Sequence, residues 1–386
     1  MRPYDALRPH AVLLTGATGS LGSRICAHLL TATAATVHCL VRAADAASAS
    51  ARLTERLRAA GLTEETYRDR VVAVPGDLAD HRLGLGARSY DALAETTGLI
   101  VHCGATVNLA ADYEQLAPVN LGGTRAVVAF AERHALLTGR PAHLNHVSTL
   151  GSLLGARAAG LPAVDERTRA SPQTAGPLGY PRSKAAAEGE VRAAADRGVR
   201  VTVFRPGVVT ADGGATAGFE SDLLVPLLRA AVALGAVPRT DAALPVATAD
   251  TVAGAVVRLA GLPQESGDRT FHLVGPRPLE LADLFAAVRR AGFPLEPVPV
   301  DLWWQRLDDS DHPAVREMLA LSGVYRYTLA PDPAQRAPEV HSARTWEALE
   351  AAGVRAPDLD AAFLDGLVGS LIAQRTLPSP VRTHRA

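Results

Sequence analysis

The chain has 386 residues, 48% hydrophobic and 20% charged, enough for a large core and for two domains or one large α/β domain with an appendage. Its formal net charge of −1 comes from scattered acidic and basic residues, which excludes a basic stripe for nucleic acid or a charged membrane surface. Cys26, Cys39 and Cys103 have neither disulfide nor zinc spacing, there is no apolar run of about 18 residues, and MRPYDALRPHAVLLTGATG reads as neither signal peptide nor membrane helix, so a soluble cytoplasmic protein is expected.

In chain order, the apolar runs AVLLTG (11–16), TVHCLVR (36–42), RVVAVPGD (70–77), GLIVHCGA (98–105), AHLNHVSTL (142–150) and VRVTVFRPGVV (199–209) read as strands. Between them SLGSRICAHLLTA, ARLTERLRAAGL, LGGTRAVVAFAERHA and the stretch from Tyr180 read as helices. Strands apolar throughout and separated by amphipathic helices indicate a doubly wound parallel sheet, with ligands expected at the strands' carboxyl ends. After residue 210 the rhythm changes: ADGGATAGFESD (211–222) reads as a loop, SDLLVPLLRAAVALGAVP as a helix and RTFHLVG (269–275) as a strand returning to the sheet. LADLFAAVRRAGF, DLWWQRL, AVREMLALSG, TWEALEAAG and LDGLVGSLIAQ then read as helices, with PDPAQRAPE (331–339) as a Pro-rich loop and PSPVRTHRA as a frayed tail. The division predicted is residues 10–210 as a Rossmann unit and 211–386 as a smaller, mostly helical substrate-facing unit.

TGATGSLG (15–22) lies between the first strand and the first helix. Gly16, Gly19 and Gly22, with Thr18, Ser20 and Leu21 between them, would let the chain turn tightly and present backbone N–H groups to a pyrophosphate. The second strand ends in Arg42, where an NAD site would place an acid, and the nearest acid is Asp45. A guanidinium suits a 2′-phosphate, so NADPH is the expected cofactor, with Arg52 able to share the phosphate; an ordinary strand-end arginine would read the same way. In GDL (76–78), Asp77 beside Leu78 would accept from an adenine amino group, although a strand-end turn looks alike.

Tyr180 and Lys184 in GYPRSK stand four apart on a predicted helix and so share a face. Reduction of a carbonyl puts charge on oxygen, which calls for a proton donor; a nearby ammonium would lower the tyrosine's pKa toward neutrality. Ser148 and Thr149, at the end of the preceding strand, offer a hydroxyl for the same oxygen. His143 and His146, three apart on a strand, point to opposite faces and suggest no metal site. Trp303 and Trp304 read as packing residues of the second unit, and Asp165 and Glu166 as solvated loop acids. No G-x-S-x-G elbow supports a serine thioesterase.

TGATGSLG, HCGATVN, VNLGGT, HVSTL, GYPRSK and FRPGVV, in this order, resemble the extended short-chain dehydrogenase/reductases. VHCLVRA, VPGDLAD with LGLG, and LIVHCGATVN are more similar to the thioester reductase domains of nonribosomal peptide synthetases, polyketide synthases and carboxylic acid reductases. The likeness is strong over residues 10–260 and general beyond. It implies a Ser/Thr–Tyr–Lys triad at Thr149, Tyr180 and Lys184, Thr149 being preferred to Ser148 as the second hydroxyl of the pair. It also implies that Cys103, Asn120, Pro206 and Val208 border the cofactor, with Tyr180 and Lys184 touching it as well. HCGA replaces the family's usual HNGA, and Ala185 its usual tryptophan.

The reaction so implied takes an acyl or peptidyl thioester from the phosphopantetheine arm of a carrier protein and releases an aldehyde, with further reduction to an alcohol left open. Two other readings share parts of this pattern. One is an NADPH-dependent reductase of a free carbonyl, sugar nucleotide or acyl-CoA. The other is a non-redox relative that releases a thioester or merely binds cofactor, which would be expected to lack the tyrosine.

Overall fold

A computed structural model describes residues 11–212, 223–260 and 268–380. Seven parallel strands form the central sheet: β1 (Ala11–Thr15), β2 (Thr36–Val41), β3 (Val71–Pro75), β4 (Leu99–His102), β5 (His143–Val147), β6 (Arg200–Pro206) and β7 (Asp268–Leu273). Their spatial order is β7-β6-β5-β4-β1-β2-β3, so the chain winds outward from β1 in both directions and leaves a crevice where the winding reverses, between β1 and β4. Every residue of β1, β4 and β5 is buried, which explains why these runs lack polar alternation, whereas the edge strand β3 is partly exposed. The doubly wound sheet expected from the sequence is present, including the late strand, which pairs with β6 from Asp268↔Val201 to Leu273↔Pro206.

Helices cover both faces. On one, α1 (Ser20–Ala32) and α2 (Ala46–Ala59) pack with apolar strand residues; on the other lie α3 (Ala87–Thr96), α4 (Gly123–Thr138) and α5 (Gly179–Asp196). The run at 199–209 divides at Gly207: Val208–Thr210 leaves the main sheet and pairs with Val246–Thr248. Two later helices return to the sheet, α7 (Ala249–Ala260) after α6 (Leu224–Leu234), and α11 (Ala343–Ala351); α7 packs against α1 and the strands, and α11 against α7 and β7.

A second apolar core gathers α6, α8 (Leu281–Arg290), α9 (Val300–Asp308), α10 (Pro313–Ala320) and α12 (Ala361–Ala373). Trp303 and Trp304 are buried in it edge to face, with ring centroids 5.4 Å apart, as packing residues should be. The Pro-rich loop runs back to the first unit, where Glu339–Val340 pairs with Ala163–Val164. Most of the loop expected at 211–222, and residues 381–386 of the tail, lie outside the described residues. Among the described residues no helix is long and apolar enough to cross a membrane.

Candidate active site

A cavity of about 810 Å³ opens at the carboxyl ends of the strands and extends between the sheet and the second core. Its first wall is the turn after β1. Gly16 has φ +78°, and a Cβ there would come within 2.7 Å of the Gly104 nitrogen; at Gly22 a Cβ would lie 2.0 Å from the Gly16 oxygen. The turn can therefore close this tightly only with glycine at both positions. At Gly19 the nearest atom to an added Cβ is the Gly16 oxygen at 3.3 Å, and no side chain caps the first turn of α1. Thr18, Ser20 and Leu21 line the same wall. This cradle at a helix N-terminus, its first turn without a side-chain cap, fits a dinucleotide pyrophosphate.

At the end of β2, exposed Arg42 lines the cavity with Arg52, Asp77 and Leu78. An Arg52 guanidinium nitrogen donates to the Arg42 backbone oxygen, which brings both cations to one corner. Asp45 is absent from the wall because it caps α2: its carboxylate accepts from the Ser48 nitrogen at 2.8 Å, and hydrogen bonds from Ser48 hold its pKa low. Asp77 accepts from the Ala79 nitrogen at 2.9 Å.

Beyond β4 and β5 the wall consists of Cys103, Thr149, Tyr180, Lys184, Pro206 and Val208. Thr149 accepts from the Gly151 nitrogen at 3.0 Å and thereby opens a short helical turn. Ser148 also borders the cavity, but its hydroxyl donates to Glu188 at 2.6 Å, so its proton is engaged. Tyr180 and Lys184 stand one turn apart on α5, and the Lys184 ammonium donates to the Val147 oxygen at 2.8 Å. Burial lowers the Lys184 pKa to about 8, against the opposing charges of Cys103 and Glu188. The Tyr180 hydroxyl is not lowered as the sequence suggested. Burial, and secondarily Cys103, push it above the ordinary tyrosine value. Burial likewise raises the Cys103 thiol to about 11, leaving it a neutral wall residue.

Asn120 does not line the cavity. Its side-chain oxygen accepts from the Thr106 nitrogen at 2.7 Å, while its amide nitrogen donates to the Thr106 oxygen at 3.1 Å and to Ser183 at 2.9 Å. Asn120 thus joins the segment after β4 to α5, and a fully engaged buried amide has no donor to offer a ligand. The solvated reading of Glu166 also needs correction: it is 6% exposed and accepts from the Thr345 nitrogen and hydroxyl, both at 2.8 Å. His143 hydrogen-bonds Arg200, and His146 is buried with its pKa far below the ordinary value through burial. Among the described residues no group of metal-ligating side chains forms.

The sequence reading missed Glu188. It is the next i+4 step after Tyr180 and Lys184, which is the signal that would have found it. Glu188 is fully buried and accepts from Ser148, from Ser152 at 3.0 Å and from Arg205 at 2.6 Å. Burial alone would raise its carboxyl, but the Arg205 charge and hydrogen bonds bring it below the usual carboxylate range. Arg205, just before Pro206, donates onward to the Thr168 oxygen at 2.8 Å. The carboxylate thereby binds α5 to the residues flanking Thr149 and to the end of β6.

The family profile described as Male sterility protein, an NAD-binding domain, matches residues 14–256. The chain is 35% identical over 312 residues to a linear gramicidin synthase of Brevibacillus parabrevis, covering 80% of this chain and 6% of that protein. It is 33% identical over 383 residues to isonitrile lipopeptide synthase of Streptomyces coeruleorubidus, covering 98% of this chain and 25% of that protein. The chain therefore spans a quarter or less of these two relatives. Among solved structures, the terminal R domain from the myxalamid PKS-NRPS biosynthetic pathway superposes with a TM-score of 0.86 at 31% identity, covering 96% of this chain and 92% of that one.

Proposed function

The chain belongs to the Male sterility protein family of NAD-binding domains, among the extended short-chain dehydrogenase/reductases, and from that membership we propose that it reduces a carrier-bound acyl or peptidyl thioester to an aldehyde with NADPH. The observation carrying this reading is the convergence of the glycine cradle, the Arg42–Arg52 corner and the Thr149–Tyr180–Lys184 group on one cavity. The cradle would hold the pyrophosphate and the arginine corner the 2′-phosphate, with Asp77 toward the adenine and Pro206 and Val208 toward the nicotinamide. NADPH held there would supply a hydride to the thioester carbon.

The chain's own residues manage the charge that then develops on oxygen. Thr149 accepts from the Gly151 nitrogen with its oxygen, which leaves its own proton to donate to the substrate oxygen. Tyr180, its pKa raised further above the ordinary value, is a protonated phenol at neutral pH, and it donates its proton to the same atom. Lys184, fixed by the Val147 oxygen, keeps a positive charge beside Tyr180 through the transfer. When the tetrahedral intermediate collapses, the carbon–sulfur bond breaks, the sulfur leaves as a thiol and the carbonyl re-forms as an aldehyde. The thiol is the phosphopantetheine arm of an acyl or peptidyl carrier protein.

Incubation with an acyl pantetheine thioester and NADPH, with trapping of the aldehyde, tests this reading; release of acid without NADPH oxidation would refute it. Arg42→Ala should raise the KM for NADPH by about 10- to 100-fold while leaving that for NADH unchanged, because one charged hydrogen bond is lost. An equal change with both cofactors would remove Arg42 from the phosphate. The pH profile offers a further check. Lys184 carries its charge below about 8, so kcat/KM should fall as pH rises through that value, and a flat profile would deny the ammonium its role.

A further inference from the structure

Past the junction of Thr149, Tyr180 and Lys184 the cavity continues as a chamber under the second core. Leu150, Leu153 and Leu154 from the turn after Thr149 form one side, and Leu223, Leu244 and Val324 the other. Six charged residues line the whole cavity among those described: Arg42, Arg52, Asp77, Lys184, Asp241 and Arg336. The first three stand at the cofactor end, at or just beyond the ends of β2 and β3 and on α2. Lys184 is engaged with the Val147 oxygen. Arg336 and Asp241 hold each other at 2.7 Å, and the Arg336 Nε also donates to the Ala330 oxygen at 3.0 Å. Even the Tyr325 hydroxyl is turned to backbone, donating to the Leu223 oxygen. Among the described residues each chamber cation and anion thus has a partner within the chain, and the rest of the chamber wall is mostly aliphatic, with the Tyr327 and Thr328 hydroxyls as its uncharged polar groups.

We propose that the chamber selects an apolar, uncharged acyl chain and rejects one carrying a carboxylate or an ammonium. This rests on the thioester reductase reading above. A charged group moved from water into such a wall loses its hydration and finds no counter-charge, whereas each methylene gains by leaving water.

The test compares pantetheine thioesters of octanoic acid, of its terminal diacid analogue suberic acid and of 8-aminooctanoic acid, followed by NADPH oxidation with the full chain. The octanoyl thioester should exceed the other two by about 100-fold in kcat/KM, and within the unbranched series each added methylene should give about fourfold until the chamber is filled. A suberoyl or aminooctanoyl thioester turning over within about threefold of octanoyl would overturn the proposal. In Leu154→Lys, a substitution at a half-buried wall position, the suberoyl-to-octanoyl ratio should rise at least about tenfold, since the carboxylate then meets a cation. Being a ratio within one preparation, it is insensitive to the fraction folded, and an unchanged ratio would place the acyl chain elsewhere. If no thioester oxidises NADPH, the reductase reading itself falls, an outcome distinct from a reductase indifferent to chain charge.

Discussion

Tyr180→Phe is expected to lower kcat for thioester reduction about 1,000-fold while leaving the Kd for NADPH within about twofold of the parent, since general acids and oxyanion donors each contribute on that scale. The ring is retained, so the cavity wall keeps its shape and only the hydroxyl is lost. The hydroxyl's raised pKa makes the expectation sharper. A phenol held above its ordinary value by burial is fully protonated at neutral pH and stabilises the developing oxyanion by donating to it, without first having to ionise. Thr149 remains as a second donor and should sustain a small residual rate. Stopped-flow fluorescence of NADPH binding beside steady-state oxidation separates the two effects, and a kcat within about tenfold of the parent would shift proton donation away from Tyr180.

Glu188→Ala should destabilise the protein by about 3–5 kcal/mol, the loss typical when one member of a buried ion pair is removed and its partner stays charged. Arg205, with no exposed side-chain surface, would keep its bond to the Thr168 oxygen but lose its counter-ion, Ser148 would lose its acceptor, and Ser152 would be left with the Thr149 oxygen alone. Glu188→Leu combined with Arg205→Met removes both charges together and should cost markedly less. Urea unfolding of the parent and the two variants distinguishes these cases, and a loss below about 1 kcal/mol for Glu188→Ala would show the pair to be energetically idle. The same carboxylate sets a pH trend. Its folded pKa lies below the unfolded value of 4.5, so its stabilising contribution is complete above 4.5 and is lost as pH falls through the lower folded value.

The parts of this protein that were readable from sequence are those in which one local pattern answers to one physical requirement. The unbroken apolar runs correspond to strands buried on both faces, and the spacing of Gly16, Gly19 and Gly22 to a turn that backbone contacts force to be tight. The four-residue step from Tyr180 to Lys184 follows from helical periodicity alone. The parts that were not readable depend on contacts between distant segments. Glu166 resembled a solvated loop acid because Thr345, 179 residues away, gives no local sign that it will satisfy that carboxylate. Asn120 has the look of a cofactor ligand in sequence, but Thr106 and Ser183 take its whole amide. The Tyr180 shift went the other way from expectation because spacing shows that a lysine is adjacent but does not show how deeply the phenol is buried. Likewise α11 has an ordinary amphipathic pattern and α7 is apolar over most of its surface, and only tertiary packing returns them to the sheet.

The proposed reaction delivers hydride to a thioester carbon and frees the acyl group as an aldehyde. The most direct test is a single turnover with 4-deuterated NADPH and an acyl thioester loaded on a phosphopantetheinylated carrier protein, followed by mass spectrometry of the released product. One deuterium is predicted on the aldehyde carbon, with one thiol freed on the carrier for each NADPH oxidised. Release of the acyl group as unlabelled acid or as a cyclised product, with NADPH left intact, would contradict it.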